Sequence, residues 1–347
     1  MSNTETSTGS VDVDFDLDGA RDFLAQRLGP ADDFAVDRIS GGQSNPTYFV
    51  RWGGRRLVLR KQPNGPILKG AHAVDREYRV IEALHPTDVP VPAPVLYCDD
   101  PDVIGTPFYL MERIEGRVFS DCALPEADPA ERPALWMAVA DAMAAMHAVR
   151  PEDVGLGDFG RPGNYFERQI NRWSRQLEAS TGDPIADLNR LETWLRDHTP
   201  ADDGASALAH GDFRMGNMIF HPTEPRVAAI LDWELATLGH PLADLGFCAL
   251  AWHTAPDEYG GLLGLDRTAL NLPSEADFVQ RYMARAPKSA PLEPFHKAFA
   301  LFRFAVIWVG IADRVRQGNA AGADATQHGE MARKLAMRGV QVIDGTH

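Results

Sequence analysis

The sequence predicts a two-lobed α+β fold, in which a small antiparallel β-sheet lobe with one long helix precedes a larger, mainly helical lobe. Two observations predict it. Apolar residues alternate with a period of two over much of the first third of the chain and recur at helical spacing afterwards, apart from a short β-rich insert over 207–232. The length, 347 residues, also suits two lobes. We expect a cleft between lobes of unequal size, where ligand sites often form.

The first elements belong to the smaller lobe. Residues 1–16 are polar and acidic and predict a disordered tail, and 17–28 predicts a leading helix that Gly29-Pro30 ends. We take 1–30 as this leading segment and 31–113 as the small lobe proper. Strands are predicted at 34–39, 47–52, 55–60 and 107–112, with one more in the run VPVPAPVLYC.

A turn and a helix complete the small lobe. Gly53-Gly54 predicts a two-residue hairpin turn between the second and third strands. The helix is predicted over 73–84 and has two faces. Its core side is expected to contain Val74, Tyr78, Ile81 and Leu84, and its other face Asp75, Arg76 and Glu77.

The larger lobe is predicted over 114–347. Its helices are expected at 134–149, 164–179, 187–197, 241–253, 274–285 and 293–317. The β-rich insert stands between the third and fourth of these helices. We expect the loop that carries the functional residues there, within 208–234.

Composition narrows the classes of function. The chain has 34 basic and 49 acidic side chains, a formal net charge of −15, which argues against a general nucleic-acid binder because such a protein needs a basic face. Cys98, Cys122 and Cys248 form no CxxC pair, so neither a disulfide framework nor a zinc knuckle is predicted. The sequence shows no signal peptide and no apolar run of membrane-spanning length. We expect a cytoplasmic protein without nucleic-acid or membrane partners, and no oligomeric state is predicted.

Three polar residues stand out in the insert, LAHGDFRMGNMIFHPTEPRVAAILDWE. Asp212 and Asn217 lie in a loop between two short apolar segments, and Asp232 ends an apolar run. Carboxylates at strand ends beside a loop amide form an oxygen-rich set that suits Mg²⁺. A carboxylate not bound to the metal could accept a proton from a hydroxyl nucleophile. The alternative is structural, with His210 and Asp212 as turn residues and Asn217 as a cap.

HGDFRMGNMIF followed by ILDWE resembles the catalytic core of the aminoglycoside phosphotransferase/choline kinase family, which has a protein-kinase-like fold. With GGQSNPTY and VLRK, the chain is more narrowly similar to a phosphotransferase-like domain that occurs alone in bacteria and joined to acyl-CoA dehydrogenases in larger proteins. The resemblance extends over roughly 30–320 and is strongest over 208–248. It implies a kinase that uses ATP and Mg²⁺ and acts on the hydroxyl of a small molecule.

The resemblance implies roles residue by residue. Asp212 matches the catalytic aspartate, which orients the acceptor hydroxyl and accepts its proton. Asn217 and Asp232 match the ligands that hold Mg²⁺ against the ATP phosphates. His210 matches a histidine that supports the loop, and Asp244 matches a helical aspartate that braces it.

The small lobe would hold the nucleotide. Gly41, Gly42, Ser44 and Asn45 lie in the turn between the first two strands, at the place of the family's phosphate-covering loop. Glycine there lets backbone N–H groups approach a phosphate. On its own, the glycine pair fits a plain hairpin turn equally well.

Arg60 stands where the family has a lysine that contacts the α- and β-phosphates, and Glu77 matches the acidic partner of that lysine. Lys61 is the other candidate, but a period of two puts Arg60 and Lys61 on opposite faces of the strand. Leu57 and Leu59 flank the other face of the sheet, so we favour Arg60, which suits phosphate. The alternative is a purely structural Arg60–Glu77 salt bridge.

Two further positions are assigned by the resemblance alone. Glu112 and Ile114 lie where the lobes are expected to join, and the Glu112 carbonyl and the Ile114 N–H would contact the adenine edge. After Asp232, where the family often has a glycine two residues on, this chain has Glu234. Glu234 could add a carboxylate near the metal or face solvent.

The acceptor stays open. An aminoglycoside-like compound would suit an acidic cleft, whereas the relation to domains joined to acyl-CoA dehydrogenases favours a hydroxyacyl-type metabolite. Two other functions also stay open. One is a non-catalytic nucleotide-binding or scaffold protein of the same fold, which the missing lysine favours. The other is a metal-dependent phosphohydrolase, although nothing in the sequence resembles a two-metal cluster.

Overall fold

In the computed structural model, the described residues are 13–39, 45–65, 72–161, 163–287, 290–317 and 325–346. The chain divides into two compact units. The first contains Met1–Pro86, Val91–Glu115 and Asp232–Glu234, and the second contains Thr87–Pro90, Gly116–Leu231 and Leu235–His347. The first is built on an antiparallel sheet and the second is mainly helical, so the predicted two-lobed α+β class is confirmed.

The first unit contains one five-stranded sheet in the order β1-β2-β3-β5-β4, with every neighbouring pair antiparallel. Its elements are α1 (Leu17–Leu28), β1 (Ala35–Arg38), β2 (Thr47–Trp52), β3 (Arg55–Lys61), α2 (Val74–Leu84), β4 (Pro94–Cys98), α3 (Pro101–Ile104) and β5 (Phe108–Glu112). Gly53 and Gly54 connect β2 to β3 with φ angles of 57° and 76°, which the predicted two-residue hairpin turn requires.

One face of this sheet is closed by α1, whose Ala20 and Leu24 pack in one apolar cluster with Leu57 and Leu59 of β3. Lys61 follows the same period of two and is 0% exposed. This strand register leaves Arg60 on the opposite face, as predicted.

The buried Lys61 ammonium is balanced by Asp14, which lies just before α1. The Lys61 Nζ to Asp14 Oδ1 distance is 3.1 Å, and the Tyr48 hydroxyl donates to the same oxygen at 2.6 Å. The prediction of disorder over 1–16 is therefore wrong for residues 13–16, because Asp14 has two buried partners. Residues 1–12 lie outside the described part of the chain.

The helix α2 packs against β4 and β5. Tyr78 contacts the rings of Tyr97 and Tyr109, each at 5.8 Å between centroids, so its predicted place on the core side is confirmed. The assignment of Glu77 to the outer face was wrong, since this side chain is 1% exposed. Polar donors from neighbouring elements satisfy the Glu77 carboxylate inside the unit, and periodicity of apolar residues does not reveal such donors.

The second unit is mainly helical. Its elements are α4 (Arg132–Ala148), α5 (Tyr165–Glu178), α6 (Ala186–Asp197), β6 (Ala207–Ala209), β7 (Met218–Phe220), β8 (Val227–Ile230), β9 (Thr237–Gly239), α7 (Pro241–Cys248), α8 (Glu275–Met283), α9 (Pro294–Arg316) and α10 (Ala325–Asp344). β6 pairs with β9 and β7 pairs with β8, both antiparallel. These two short ladders frame the loop that carries Asp212 and Asn217.

The core of the second unit lies among α5, α6, α7, α9 and α10. The prediction ended the chain with the helix now seen as α9 and missed α10. That helix buries Ala332, Leu335, Ala336 and Val342 against its neighbours. Two of these four are alanines, so the apolar pattern of α10 is weak in the sequence. Among the described residues, no helix combines the length and the hydropathy needed to cross a bilayer.

Candidate active site

The loop that carries Asp212 is anchored by Asp244 of α7. The Asp244 carboxylate accepts the backbone N–H of His210 at 2.7 Å and that of Gly211 at 2.9 Å. Burial acts to raise the pKa of Asp244, but His147, His210 and the Gly211 N–H outweigh it, so this pKa lies below its ordinary value. Asp244 is therefore an ionised, buried anchor for the start of the loop.

His210 spans the loop from inside. Its Nε2 lies 2.9 Å from the carbonyl oxygen of Leu231, and its Nδ1 accepts the N–H of Asp212 at 3.1 Å. These partners assign the proton to Nε2, because a carbonyl oxygen cannot donate. Both ring nitrogens are occupied by backbone groups, so His210 holds the loop rather than transferring protons.

Asp212 is held in place through one of its two oxygens. The Asn217 amide donates to Asp212 Oδ2 at 2.7 Å and to the Asp212 carbonyl at 2.9 Å. Arg214 Nε lies 3.3 Å from the same Oδ2. Within the described residues, Oδ1 is left as the oxygen that can meet a substrate hydroxyl, and the Asp212 side chain is 24% exposed. The amide of Asn217 donates through Nδ2, which leaves its Oδ1 as a candidate metal ligand.

Arg60 lies between two carboxylates of the first unit. Its Nη2 donates to Asp232 Oδ1 at 2.6 Å, and its Nε lies 2.9 Å from Glu77 Oε2. The Nε contact is an ion pair without hydrogen-bond alignment. Glu77 also accepts from the Asn45 amide at 2.7 Å and from the Tyr109 hydroxyl at 3.0 Å. We call Arg60, Glu77, Asp232, Asn45 and Tyr109 the Arg60 cluster.

Burial and charge act against each other in this cluster. Burial raises the pKa of Glu77 to about 7, with Arg60 acting to lower it and Asp232 and Glu234 adding to the rise. Burial acts to lower the pKa of Arg60, but electrostatic interaction with Glu77 and then with Tyr109, Asp232 and Glu234 raises it above its ordinary value. Arg60 therefore stays cationic, and a fixed positive charge suits contact with phosphate oxygens.

Glu234 adds a third carboxylate beside the Arg60 cluster. Glu77, Asp232 and Glu234 each offer an oxygen, and these oxygens lie within 4.8 Å of one another. This placement favours the first of the two predicted roles for Glu234, a carboxylate near the metal. Asp232 has a φ of 67°, a left-handed conformation that is uncommon for a residue other than glycine and is typical of functional sites.

The donor chemistry fits Mg²⁺. This ion prefers one or two carboxylates together with phosphate and water oxygens. In the first unit, Asp232 and Glu234 supply carboxylates, and Asp232 Oδ1 is already bound by Arg60. In the second unit, Asn217 supplies an amide oxygen. The assignment of Asn217 and Asp232 to the metal stays a prediction.

Lys61 is not the partner of Glu77. Its Nζ lies 3.1 Å from Asn64 Oδ1 and 3.1 Å from Asp14 Oδ1, on the face of the sheet that packs against α1. Between the two basic residues that the sequence offered, the structure therefore places Arg60 with Glu77.

The predicted phosphate loop is described only in part. Gly41, Gly42 and Ser44 lie outside the described residues. Asn45 is buried, and its side chain bonds Glu77 and lies 3.1 Å from His72 Nδ1. Asn45 therefore supports Glu77, and a direct contact between Asn45 and phosphate stays a prediction.

The predicted adenine contacts lie at the end of β5. The Glu112 carboxylate accepts from Arg55 Nη2 at 2.6 Å, and the Glu112 N–H donates to the Ala93 carbonyl at 2.9 Å. Ile114 follows two residues later. The roles of the Glu112 carbonyl and the Ile114 N–H toward adenine stay predictions.

The predicted residues thus form two groups, one in each unit. Asn45, Arg60, Glu77 and Asp232 belong to the first, and Asp212 and Asn217 belong to the second. Sequence reasoning missed Arg214 and Tyr109. For Arg214 a signal was available, because a basic residue two positions after a catalytic aspartate can reach that carboxylate. For Tyr109 there was none, since it resembles any aromatic residue of a buried strand.

An apolar pocket of about 50 Å³ lies beside the loop in the second unit. It is lined by Arg214, Met215 and Gly216 of the loop and by apolar side chains that include Trp136, Phe247, Leu250, Tyr259 and Phe304. The Arg214 guanidinium lies over the ring of Tyr259 at 5.2 Å. No carboxylate lines this pocket among the residues that the structure describes. A ligand group held there would meet mainly apolar side chains and the Arg214 guanidinium.

Comparison with known proteins gives concordant matches. A family model described as "Phosphotransferase enzyme family" matches residues 35–293. Acyl-CoA dehydrogenase family member 11 of Gallus gallus is 42% identical over 318 residues, which cover 90% of this chain and 41% of that protein. The chain spans less than half the length of the curated relatives it matches.

Solved structures match over most of the chain. A crystal structure from Ralstonia eutropha, of a protein proposed to be an aminoglycoside phosphotransferase, is 42% identical with a TM-score of 0.85 and covers 95% of this chain and 99% of that one. Aminoglycoside phosphotransferase APH(4)-Ia, in a ternary complex with AMP-PNP and hygromycin B, is 16% identical with a TM-score of 0.62 and covers 94% of this chain and 100% of that one. The second likeness shows a common fold.

Proposed function

Because the chain belongs to the phosphotransferase enzyme family, we propose that it is a small-molecule kinase that transfers the γ-phosphoryl group of ATP to a substrate hydroxyl and uses Mg²⁺. Membership of this family and the protein-kinase-like fold were both predicted and are confirmed. The observation that carries the proposal is the geometry of Asp212. One carboxylate oxygen is fixed by Asn217 and Arg214, and the other is left for a hydroxyl.

Asp212 would act as the base. A fixed carboxylate orients the acceptor hydroxyl and accepts its proton as the hydroxyl oxygen bonds to the γ-phosphorus and ADP departs. Asn217 holds the Asp212 carboxylate in one rotamer by a hydrogen bond from Nδ2, and Asp244 anchors the start of the loop. Such positioning matters because phosphoryl transfer depends mainly on alignment and charge stabilisation.

The Arg60 cluster would bind the phosphates and position the metal ligand. Arg60 is a cation with a planar fork of donors, which matches phosphate geometry. Glu77 and Asp232 hold the guanidinium from two sides, so its place is determined before a nucleotide binds. Mg²⁺, when held by Asp232, Asn217 and Glu234, would neutralise the charge on the transferring phosphate oxygens.

For the acceptor we favour a hydroxyacyl-type metabolite over an aminoglycoside-like compound. Aminoglycosides are polycations and need carboxylates in their site, whereas the pocket beside Arg214 is apolar and has no carboxylate in its described lining. The relatives named as acyl-CoA dehydrogenase family members support an acyl-bearing acceptor.

The test is ATP turnover with Mg²⁺ against a panel of aminoglycosides, amino alcohols and hydroxyacyl-CoAs. Transfer to a particular hydroxyl compound is the expected result. Free phosphate formed without an acceptor would indicate a hydrolase. Nucleotide binding without any turnover would indicate a non-catalytic scaffold, the function that the arginine in place of the family's lysine favours.

Asp212→Asn should lower kcat at least ~100-fold, because general base catalysis contributes about 10²–10⁴-fold. The dissociation constant for ATP should change less than ~3-fold, since the Arg60 cluster is intact. Asp153→Asn, an exposed aspartate paired with Arg150, is the matched control and should leave turnover unchanged. Near-normal turnover by Asp212→Asn would remove Asp212 from the role of base.

A further inference from the structure

A groove of the second unit is basic although the protein as a whole is acidic. The groove has a volume of about 790 Å³, and its lining contains five arginines and one carboxylate, Glu178. The arginines are Arg161, Arg168, Arg172, Arg175 and Arg196, and we call this site the arginine groove. In a chain with a net charge of −15, this concentration of positive charge marks a place that attracts anions.

Most of this charge is not balanced locally. Arg196 pairs with Glu192 at 2.9 Å. In the described part of the chain, Arg161, Arg172 and Arg175 have no carboxylate within 4.0 Å. Guanidinium groups on a surface usually find acidic neighbours in so acidic a protein. Apart from Arg175 Nε, which donates to the Asn171 carbonyl at 3.2 Å, the guanidinium donors of these three residues are left for a ligand within the described residues.

A sixth arginine adds positive charge beneath the groove. Arg303 of α9 is 9% exposed and lies over the rings of Trp173 and Phe247, each at 5.6 Å. It too lacks a carboxylate within 4.0 Å among the described residues. Burial and the charge of Arg303 lower the pKa of Arg172, which shows that the two cations act on each other. An anion in the groove would relieve this repulsion.

The groove includes a residue of the strand that pairs with the strand leading into the Asp212 loop. Thr237 of β9 lines the groove and pairs with Ala209 of β6. His210 follows Ala209 directly in the chain. The groove therefore extends to the ladder from which the loop begins.

We propose that the arginine groove binds a small molecule with at least two phosphate groups. These phosphate groups form the anionic end of the phosphoryl acceptor, and this second part of the inference rests on the proposed function. Phosphate suits the site because arginine presents a planar fork that binds phosphate oxygens in pairs. The volume also suits a diphosphate ester, since small-molecule sites commonly measure about 300–1,000 Å³.

The direct test is calorimetric titration of the full chain with inorganic pyrophosphate while a non-hydrolysable ATP analogue saturates the nucleotide site. Arg172→Gln/Arg175→Gln should weaken pyrophosphate binding at least ~10-fold. The matched control is Arg150→Gln/Arg226→Gln, two exposed arginines outside the groove, which removes the same charge and should change binding less than ~2-fold.

Equal weakening by the control pair would overturn the site, because general charge would then explain the binding. Binding of anionic phospholipid vesicles or of polyglutamate without binding of pyrophosphate would overturn it as well. The nucleotide analogue alone is titrated in parallel. If pyrophosphate binding depends on the groove but no transfer is found with any acceptor, the proposed function fails while the site stands.

The second part of the proposal, that the groove binds the acceptor, is tested by the KM values once phosphoryl transfer has been measured. Arg172→Gln/Arg175→Gln should raise the acceptor KM at least ~10-fold and leave the ATP KM unchanged, since the substituted residues belong to the groove and not to the Arg60 cluster. An unchanged acceptor KM, with pyrophosphate binding lost, would separate the groove from the acceptor.

Discussion

Arg60 in the first unit is held between the carboxylates of Glu77 and Asp232, whereas the Asp212 loop in the second unit is held by backbone N–H groups that donate to Asp244. In the first case fixed charges oppose one another, and removing one leaves others unbalanced. In the second case, the Asp244 carboxylate accepts hydrogen bonds from uncharged backbone N–H groups of the loop. Replacing Asp244 by an uncharged residue of the same shape can therefore spare part of the loop anchor. Replacing Arg60 by an uncharged residue cannot spare the Arg60 cluster.

The largest effect is expected from breaking the Arg60 cluster. Arg60→Gln should lower the free energy of unfolding by about 3–5 kcal/mol, because Glu77 is buried and would lose its cationic partner. Urea unfolding at pH 8 measures it, since Glu77 with Arg60 in place is then mostly ionised and loss of Arg60 raises the pKa of Glu77 further. Arg60→Gln/Glu77→Gln should recover at least ~1 kcal/mol, because the buried carboxylate is removed as well. No recovery in the double variant would contradict a charge-balanced cluster.

A smaller effect is expected at the loop anchor. Asp244→Ala should cost about 2–4 kcal/mol, since it leaves the buried N–H groups of His210 and Gly211 without an acceptor. Asp244→Asn keeps one acceptor oxygen and should therefore lower the stability less than Asp244→Ala does. For the Arg60 cluster we expect no such mild neutral substitution. The midpoint of thermal unfolding measures both. Asp257→Ala, an exposed aspartate paired with Lys334, is the control and should leave the midpoint unchanged. Equal losses in Asp244→Asn and Asp244→Ala would contradict the acceptor role.

The smallest expected effect concerns acid stability in the second unit, to which one buried histidine contributes. Burial lowers the pKa of His296 to about 4 from the ordinary 6.5, and its Nδ1 accepts the N–H of Glu293. The unfolded chain binds this proton first, so stability is complete above pH 6.5 and falls as the pH drops toward 4.

This loss should amount to about 3 kcal/mol by pH 4, because the pKa of His296 lies at about 4 instead of 6.5. His296→Gln keeps an acceptor at the third helical position and does not titrate. Urea midpoints of the two proteins from pH 7 to pH 4 measure the difference, and parallel curves would show that His296 does not contribute.

Much of the fold could be predicted because its signals are local. The alternation in β3 placed Arg60 and Lys61 on opposite faces, and Gly53-Gly54 marked the hairpin. The helix α10 could not be predicted, because its buried residues are mostly small and only packing against α9 makes them core.

The sequence predicted those site residues whose role follows from their residue type and their spacing in one loop. It did not predict roles that depend on neighbours from other segments of the chain. Asp212 and Asn217 stand five residues apart in one loop, and the structure joins them at 2.7 Å. The burial of Glu77 depends on Asn45 and Tyr109, which come from two other segments. No local pattern connects these three. The same holds for the arginine groove, whose members come from α5, α6 and a loop.

The position of Asp14 has a practical consequence for making shortened forms of the protein. A variant that starts at the first residue of α1 would keep every described helix and strand yet lose the only carboxylate, among the described residues, that lies against the fully enclosed Lys61 ammonium. Trimming what looks like a dispensable leader would therefore strip a counter-ion from the interior, and expression designs should begin upstream of residue 13.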